Sequence, residues 1–255
     1  MIPKERIITL QKSFLNIWPP KQCFFLNGWI LTFTGGLTGR SNSILAINYT
    51  GNNLDEDISI AETAYKRYNL PVRFKLADHF DPPELEGALL ERGYTYSNYS
   101  LITMGCNNPV VKITQNQDFS YEFSENRSTE YTDFLAKYSS SLTEDQQIMT
   151  EVSQRIIIPK KCFILGKKGN SIVGSTMVIL DPQGYLYIAE LFVHPGFRRR
   201  KIGSSLVTKA IEWGMSLGCT CYWLHVERDN KEGIELYEKF GFQKWYNYNY
   251  LLKNN

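Results

Sequence analysis

The chain has 255 residues, of which 43% are hydrophobic, 21% charged and 14% aromatic. This composition suffices for one large domain or two small ones, and it excludes a disordered or fibrous protein. Lys and Arg number 28 against 26 Asp and Glu, which leaves a formal charge of +2. A surface devoted to nucleic acid or to an anionic membrane needs a larger cationic excess, so any anion site must be local.

The cysteines and the N-terminal segment indicate the compartment. The 5 cysteines form no Cys-x-x-Cys pair, and the 3 histidines are scattered. We therefore predict a reducing environment and no metal site. The first residues lack the apolar core of a signal peptide, and no apolar run approaches the ~18 residues of a membrane span. A cytoplasmic protein with neither membrane nor nucleic-acid partners is expected.

The predicted elements of the N-terminal half are few. A strand is expected in PKQCFFL (20–26), a helix at 54–69, a short capped helix that ends before Gly93, and an aromatic strand at 94–104.

The C-terminal half gives a denser pattern of strands and helices. Period-two patterns predict strands, and a period near 3.6 predicts helices. Asp229 and Glu232 are predicted to cap the last helix, and Gly241 to end it. The strands are expected at 119–123, 161–165, 171–180, 185–193, 219–226 and 242–252, and the earlier helices at 128–138, 143–157 and 202–217.

The two halves share a register. Gly93 and Gly241 lie 148 residues apart, as do Asp81 and Asp229. The same offset superposes the helix at 54–69 on the helix at 202–217. A tandem duplication with a shortened first copy explains this, although two strand-helix-strand units capped by ordinary rules would share some matches. We predict domains at 1–110 and 115–255.

A cluster of four cations separates a strand from a helix. Arg198 to Lys201 follow the strand at 185–193, and Gly203 lies in the first turn of the next helix. Backbone N–H groups at a helix start, together with the helix dipole, favour an anion, and glycine allows phosphate to approach the main chain. The alternative is a solvated charge run or a weak nucleic-acid patch.

This segment resembles the phosphate loop of the GNAT family of acyl-CoA-dependent N-acetyltransferases. Arg198, Lys201 and Gly203 occupy the three marked positions of that loop, with Lys201 where the family usually has glycine. The block NKEGIELYEKFGF (230–242) is also similar to a family segment. The resemblance covers about residues 115–255. It implies an α/β (α+β) fold with a mixed, mostly antiparallel sheet flanked by helices, and acetyl-CoA as co-substrate.

The resemblance also implies roles for individual residues. Pantetheine would pair with backbone of the strand that precedes the loop, pyrophosphate would lie on the helix start, and Asn230 would bind the cofactor or simply cap its helix. The expected cofactor-binding residues are Leu191, Phe192, Val193, Arg198, Arg199, Arg200, Lys201, Ile202, Gly203, Ser204, Ser205 and Asn230.

Two candidate catalytic residues follow from the same resemblance. An amine must lose a proton before it attacks a thioester, and Glu190 in the strand YIAELFV is the expected proton acceptor. Tyr237 matches the tyrosine that protonates the leaving thiolate in many relatives. A solvent-facing or lysine-paired Glu190 and a Tyr237 packed in the core are the alternatives.

The first copy differs at its helix start. The offset of 148 aligns FRRRKIG (197–203) with YTGNNLD (49–55), which places carboxylates where the second copy has cations, and it aligns Glu190 with Asn42. We expect this copy neither to bind CoA nor to catalyse, but to complete an acceptor pocket through Trp29, Arg40 and Asn42.

Together these features predict an N-acetyltransferase that moves acetyl from acetyl-CoA to a primary amine of a small molecule or peptide by direct attack. A non-catalytic acyl-CoA binder with a ligand- or protein-recognising N-terminal domain is the alternative. Either a monomer or a homodimer is compatible with the sequence.

Overall fold

A computed structural model describes residues 2–35, 39–111, 118–139 and 150–253. The chain forms two compact units, of which unit 1 comprises Met1–Ile102 with Trp245–Asn255, and unit 2 comprises Thr103–Lys244. The predicted segments 1–110 and 115–255 are each contiguous, whereas unit 1 includes the end of the chain. The reason is strand pairing, because Tyr248 to Lys253 are antiparallel partners of Ala77 to Val72.

Unit 1 is a sheet with helices. Strands β1 to β4 and β11 are neighbours in that order, and the first part of β5 lies next to β11. The β3–β4 pair is parallel, and the β1–β2, β2–β3 and β4–β11 pairs are antiparallel. The elements are α1 (Lys4–Ile17), β1 (Gln22–Leu26), β2 (Trp29–Phe33), β3 (Ile44–Leu45), α2 (Leu54–Arg67), β4 (Val72–Ala77), α3 (Leu85–Glu91), β5 (Thr95–Asn107) and β11 (Gln243–Lys253).

The core of unit 1 is aromatic. Trp29 and Phe74 are fully buried with ring centroids 5.4 Å apart, and Phe74 lies 5.7 Å from the ring of Tyr94. Ile58 and Tyr65 of α2 join them because residues spaced by seven share a helix face.

Unit 2 is also a sheet with helices. Its strands follow the order β5-β10-β9-β8-β7-β6, in which β9–β10 is parallel and the pairs from β9 to β6 are antiparallel. The elements are β6 (Ser120–Ser124), α4 (Thr129–Tyr138), β7 (Lys161–Lys168), β8 (Ser171–Leu180), β9 (Tyr185–Val193), α5 (Ile202–Ser216), β10 (Cys221–Glu227) and α6 (Lys231–Glu238).

The predicted fold class is confirmed: both units are α/β, with mixed and mostly antiparallel strands. Of the helix predicted at 143–157, residues 150–154 are helical and 143–149 lie outside the described residues. Helix α5 lies close against the sheet, since a Cβ on Gly174 would be 2.8 Å from the Leu206 side chain.

The shared register is visible in the elements themselves. Helices α2 and α5 begin at Leu54 and Ile202, which are 148 residues apart. Gly93 and Gly241 both have positive φ, at 83° and 87°, and each donates a backbone hydrogen bond to a carbonyl three residues earlier. The two helix ends are therefore equivalent in conformation as well as in sequence.

The predicted cap of the last helix is wrong by one residue. Asn230, not Asp229, is the N-cap of α6, and its side chain accepts a hydrogen bond of 2.9 Å from the Gly233 amide. In α3 the N-cap residue Glu84 makes no side-chain cap bond. The two short helices thus share their ends but not their starts.

The offset of 148 does not hold for the strands that precede the longer helices, α2 and α5. Ile44 pairs with Phe74 as Leu186 pairs with Tyr222, and both pairs are parallel. The connection from β3 to α2 is six residues shorter than that from the paired part of β9 to α5. Counting from these pairs, the counterpart of Glu190 is Asn48 rather than Asn42. Both Asn48 and Glu190 have positive φ, at 51° and 52°.

Candidate functional site

Strands β9 and β10 separate part-way along their length. Their parallel pairing runs from Tyr185 to Tyr187 on β9 and ends at Trp223 on β10, although β9 continues to Val193. On its other edge β9 remains paired with β8 as far as Val193. Among the described residues, the β10-side backbone edge of Leu191 to Val193 is therefore left without a strand partner. This is the backbone that was predicted to pair with pantetheine.

A β-bulge at Glu190 accompanies this separation. The β8–β9 register shifts between Ser175 and Met177, opposite Glu190, whose φ is 52°. A left-handed conformation costs about 1–3 kcal/mol in a residue other than glycine and persists only where the surroundings impose it. Such bulges re-aim side chains and are frequent near active sites.

The Glu190 side chain is held by a buried network. Arg127 Nη1 donates to both carboxylate oxygens, at 2.9 and 2.7 Å, and the Tyr131 hydroxyl donates at 3.0 Å. The side chains of Arg127 and Glu190 are only 3% and 10% exposed. Burial and the Glu190 charge raise the pKa of Tyr131 well above its ordinary value, so Tyr131 stays a hydrogen-bond donor. The carboxylate is thus fixed in orientation.

Sequence reasoning missed Arg127 and Tyr131. Both lie at the start of α4, where the Ser128 side chain accepts a hydrogen bond of 3.1 Å from the Tyr131 amide. The cap predicts a helix at this place, but nothing in the local pattern indicates that the helix start faces a strand 59 residues away.

The start of α5 is open to a ligand. Lys201 is the N-cap residue in left-handed conformation, with φ 62° and no side-chain cap bond. The amides of Ile202, Gly203 and Ser204 have no intrahelical acceptor, as in any first turn. An uncapped helix start carries positive partial charge, so this geometry fits the pyrophosphate of acetyl-CoA.

The cations beside this helix start are exposed and lie near aromatic rings. The Arg198 guanidinium is 6.0 Å from the Phe192 ring centroid, and that of Arg200 is 5.3 Å from the Phe197 ring centroid. Arg199 pairs with Glu232 at 3.4 Å, but both side chains are at least 80% exposed, so this pair contributes little stability.

One of the predicted phosphate contacts needs correction. Ser205 is buried, its hydroxyl accepts a hydrogen bond from Tyr121, and its amide donates to the Lys201 carbonyl at 3.0 Å. Neither group is available to a phosphate, so Ser205 is a packing residue. A Cβ on Gly203 would lie 3.4 Å from Leu236, so the absence of a side chain there also serves the contact with α6.

Tyr237 and Asn230 keep both of their predicted interpretations. Tyr237 is 8% exposed, and burial, assisted by Tyr187, raises the pKa of its phenol far above the ordinary value. The phenol is therefore protonated across the physiological range. Asn230 caps α6, which is one of its two predicted roles. Its side chain is exposed, as is that of Glu232.

In unit 1 two predicted substrate contacts are wrong. Trp29 is fully buried and donates to the Asp81 carbonyl at 2.9 Å. Asn42 is 2% exposed and accepts from the Thr34 amide at 2.7 Å. Both side chains build the interior. Arg40 is half-buried and donates to the Tyr99 hydroxyl at 3.0 Å, and its role toward a substrate stays a prediction.

Within the described ranges, no group of three or more His, Cys, Asp or Glu side chains is arranged to hold a metal ion. None of the helices that the structure describes is long and apolar enough to cross a membrane.

Comparisons with known proteins agree with this geometry. The Acetyltransferase (GNAT) family model matches residues 121–242. The uncharacterized N-acetyltransferase YobR of Bacillus subtilis (strain 168) is 23% identical over 239 residues, which cover 92% of this chain and 94% of YobR.

Solved structures match nearly the whole chain. A GCN5-related N-acetyltransferase from Kribbella flavida has a TM-score of 0.72 at 12% identity, covering 100% of this chain and 97% of that one. A tandem GNAT protein from the clavulanic acid biosynthesis pathway has a TM-score of 0.64 at 11% identity, covering 94% and 86%. These likenesses establish the fold.

The family match defines the class of the protein as an acetyl-CoA-dependent acyltransferase. Residues 121–242 belong to the GNAT acetyltransferase family, and this domain lies in the C-terminal half of the chain. It is a GNAT N-acetyltransferase, and the family uses acetyl-CoA as co-substrate and an amine as acceptor.

Proposed function

We propose that unit 2 transfers acetyl from acetyl-CoA to a primary amine of a small molecule or peptide by direct attack. The observation that carries this proposal is the end of β9–β10 pairing at Tyr187 and Trp223, followed along the chain by the uncapped helix start at Lys201. Buried thiols do not favour a covalent route: burial raises the pKa of Cys162 and Cys219, which lowers the thiolate fraction.

Acetyl-CoA would contact two backbone surfaces. Its pantetheine would lie along Leu191 to Val193, and its pyrophosphate on the amides of the first turn of α5. Arg198 and Arg200 would add charge to the phosphate contacts. A β9 amide near the thioester carbonyl would stabilise the oxyanion that develops during attack.

Glu190 would accept the proton of the attacking amine, directly or through water. Arg127 and Tyr131 fix its carboxylate in one orientation, and a fixed acceptor needs little rearrangement when the proton is transferred. Tyr237 would give its proton to the departing thiolate. Its raised pKa keeps that proton in place at the pH of an assay.

The substitution Glu190→Gln tests this assignment. The amide keeps the shape of the side chain but cannot take up the proton, so kcat should fall by about 10²–10⁴-fold. CoA binding should stay at the wild-type level, since Glu190 lies outside the helix start. Steady-state release of CoA thiol over a broad amine panel measures the rate, and calorimetry with CoA measures the binding.

Glu130→Gln is the matched control, because Glu130 is 62% exposed on α4 and pairs with Lys167. It should leave kcat unchanged. Equal rates for wild type and Glu190→Gln would show that another group accepts the proton.

A non-catalytic acyl-CoA binder is the second candidate. It is favoured by the three hydrogen bonds to Glu190, which already occupy much of the carboxylate. CoA binding without thiol release for any amine in the panel would support this candidate and overturn the first.

A further inference from the structure

Unit 1 contains a lysine in its interior. Lys75 lies in β4 and is 2% exposed. Its ammonium is 4.1 Å from the ring centroid of Tyr248 and 5.1 Å from that of Phe14. These rings belong to β11 and α1, so the charge lies between the sheet and the first helix.

Lys75 has no anionic partner among the residues that the structure describes. No hydrogen bond or ion pair to its Nζ is present there, and the charge that acts on its pKa is the cation Arg40. Burial, and to a lesser extent Arg40, lowers the pKa of Lys75 to about 7. Buried charges are ordinarily paired, and cation–π contacts replace only a fraction of the lost hydration.

A second polar side chain is unsatisfied on the same side of the sheet. Gln11 is 1% exposed, and neither its amide nitrogen nor its oxygen has a hydrogen-bond partner in the described part of the chain. It lies one turn before Phe14 on α1, and residues three apart share a helix face. Buried polar groups are hydrogen-bonded in the great majority of cases, so two unsatisfied donors on one side of the sheet need an explanation.

The strand register adds two phenols. Tyr250 is the direct antiparallel partner of Lys75, and Tyr248 lies two residues before it on the same face of β11. Both side chains are buried. The group therefore combines one ammonium and one amide with the aromatic walls of the two tyrosines, and the described residues place no carboxylate in it.

We propose that Lys75, Gln11, Tyr248 and Tyr250 form a binding site for a small carboxylate in unit 1. One buried cation matches a monoanion, whereas a phosphate dianion would leave excess negative charge in the interior. The Gln11 amide donor suits the second carboxylate oxygen, and the flanking rings suit a flat, apolar remainder such as an aryl group. This site is separate from the acetyl-transfer chemistry proposed for unit 2.

The test uses the full-length protein and benzoate as the probe. Binding to the folded state should raise the Tm of the wild type saturably, by about 2–4 °C when benzoate is about five times its Kd. Sodium chloride at equal ionic strength gives the reference. Lys75→Met keeps the length of the side chain and removes its charge, so it should abolish the benzoate effect.

The same variant distinguishes a ligand site from a structural lysine. If Lys75 belongs to an anion-binding site, Lys75→Met should raise the Tm of the ligand-free protein, because an uncompensated buried charge is removed. Lys66→Met, at an exposed position of α2, should change neither Tm nor benzoate binding.

Three results would overturn the proposal. They are an unchanged wild-type Tm in benzoate relative to chloride, an equal benzoate shift in Lys75→Met, and a lower ligand-free Tm in Lys75→Met. The last would show that the contacts with Phe14 and Tyr248 stabilise the ammonium without any ligand.

Discussion

The two long helices that begin 148 residues apart, α2 at Leu54 and α5 at Ile202, have opposite starts. In unit 1, Asn53 caps α2 in extended conformation, and its side chain accepts from the Glu56 amide at 3.2 Å. In unit 2, Lys201 takes a left-handed conformation and makes no side-chain cap bond. One helix start is closed by its own residues, and the other keeps its amides for a ligand.

The charges beside the two starts are also used differently. Asp57 of unit 1 is 4% exposed and accepts hydrogen bonds from Asn27 and from the Tyr49 hydroxyl, the latter at 2.7 Å. Asp55 pairs with Arg92 at 3.0 Å. The acidic start therefore serves folding. In unit 2 the cations Arg198 to Lys201 are exposed and available for recognition.

Equivalent helix starts can therefore either stabilise the fold or bind an anion, depending on whether a side chain caps them. A side-chain cap uses an amide that a phosphate would otherwise take, and carboxylates in the first turn repel phosphate. The difference at these residues fits the expectation that only unit 2 binds CoA.

Of the substitutions at the two helix starts, removal of the cations of unit 2 should have the largest effect, and it should weaken CoA binding. The double substitution Arg198→Gln and Arg200→Gln should raise the Kd for CoA by about 10- to 100-fold, since hydrogen bonds to charged groups contribute about 1.5–3 kcal/mol each and exposure reduces this. Calorimetry at low and high salt measures it, with a weaker salt dependence in the variant. Arg67→Gln, an exposed position of α2, should bind CoA like the wild type; an unchanged Kd in the double variant would place the phosphates elsewhere.

At the acidic start, Asp57→Asn should destabilise the protein by about 1–3 kcal/mol, because the new amide opposes the donors of Asn27 and leaves them unsatisfied. Urea unfolding measures the loss. The control Asp55→Asn, at an 80% exposed carboxylate, should cost less than about 1 kcal/mol. Loss of CoA binding in the Asp57→Asn variant, with unit 2 still folded, would contradict the division of roles.

The smallest expected effect concerns the left-handed residue Lys201. Lys201→Gly should stabilise the protein by about 0.5–1 kcal/mol, because glycine adopts positive φ without steric cost. Chemical unfolding measures this gain. Arg200→Gly provides the comparison, as Arg200 is not among the residues with positive φ, and glycine there should give no gain. A loss of stability in Lys201→Gly would mean that the lysine side chain itself supports the helix start.

Much of the fold could be predicted from the sequence because its signals are local. Hydrophobic period, turn residues and glycine stops predicted α4, α5 and the β8–β9 hairpin within a few residues. The helix ends at Gly93 and Gly241 could be predicted for the same reason, since the left-handed residue that follows a helix is usually glycine. The inclusion of the C-terminal segment in unit 1 could not be predicted, because strand pairing is non-local.

In the candidate site, too, the features that depend on adjacent residues could be predicted, and those that depend on distant residues could not. The helix start at Lys201 was found from adjacent residues, whereas the partners of Glu190 were missed because Arg127 is 63 residues distant. The sequence predicts Trp29 and Asn42 as substrate contacts, whereas the structure buries both. Their burial depends on neighbouring elements that no local pattern describes.

By itself, the sequence determined which segments form strands and helices, where four cations meet a helix start, and that two similar halves follow one another. These properties depend on residues within a few positions of each other. Only the tertiary structure decided that Glu190 lies on a bulge held by Arg127 and Tyr131, and that Asn48 rather than Asn42 is its counterpart. It also decided that Lys75 is buried with no anionic partner among the described residues. Each of these depends on which distant strands and helices pack together, and burial and pairing arise from that packing.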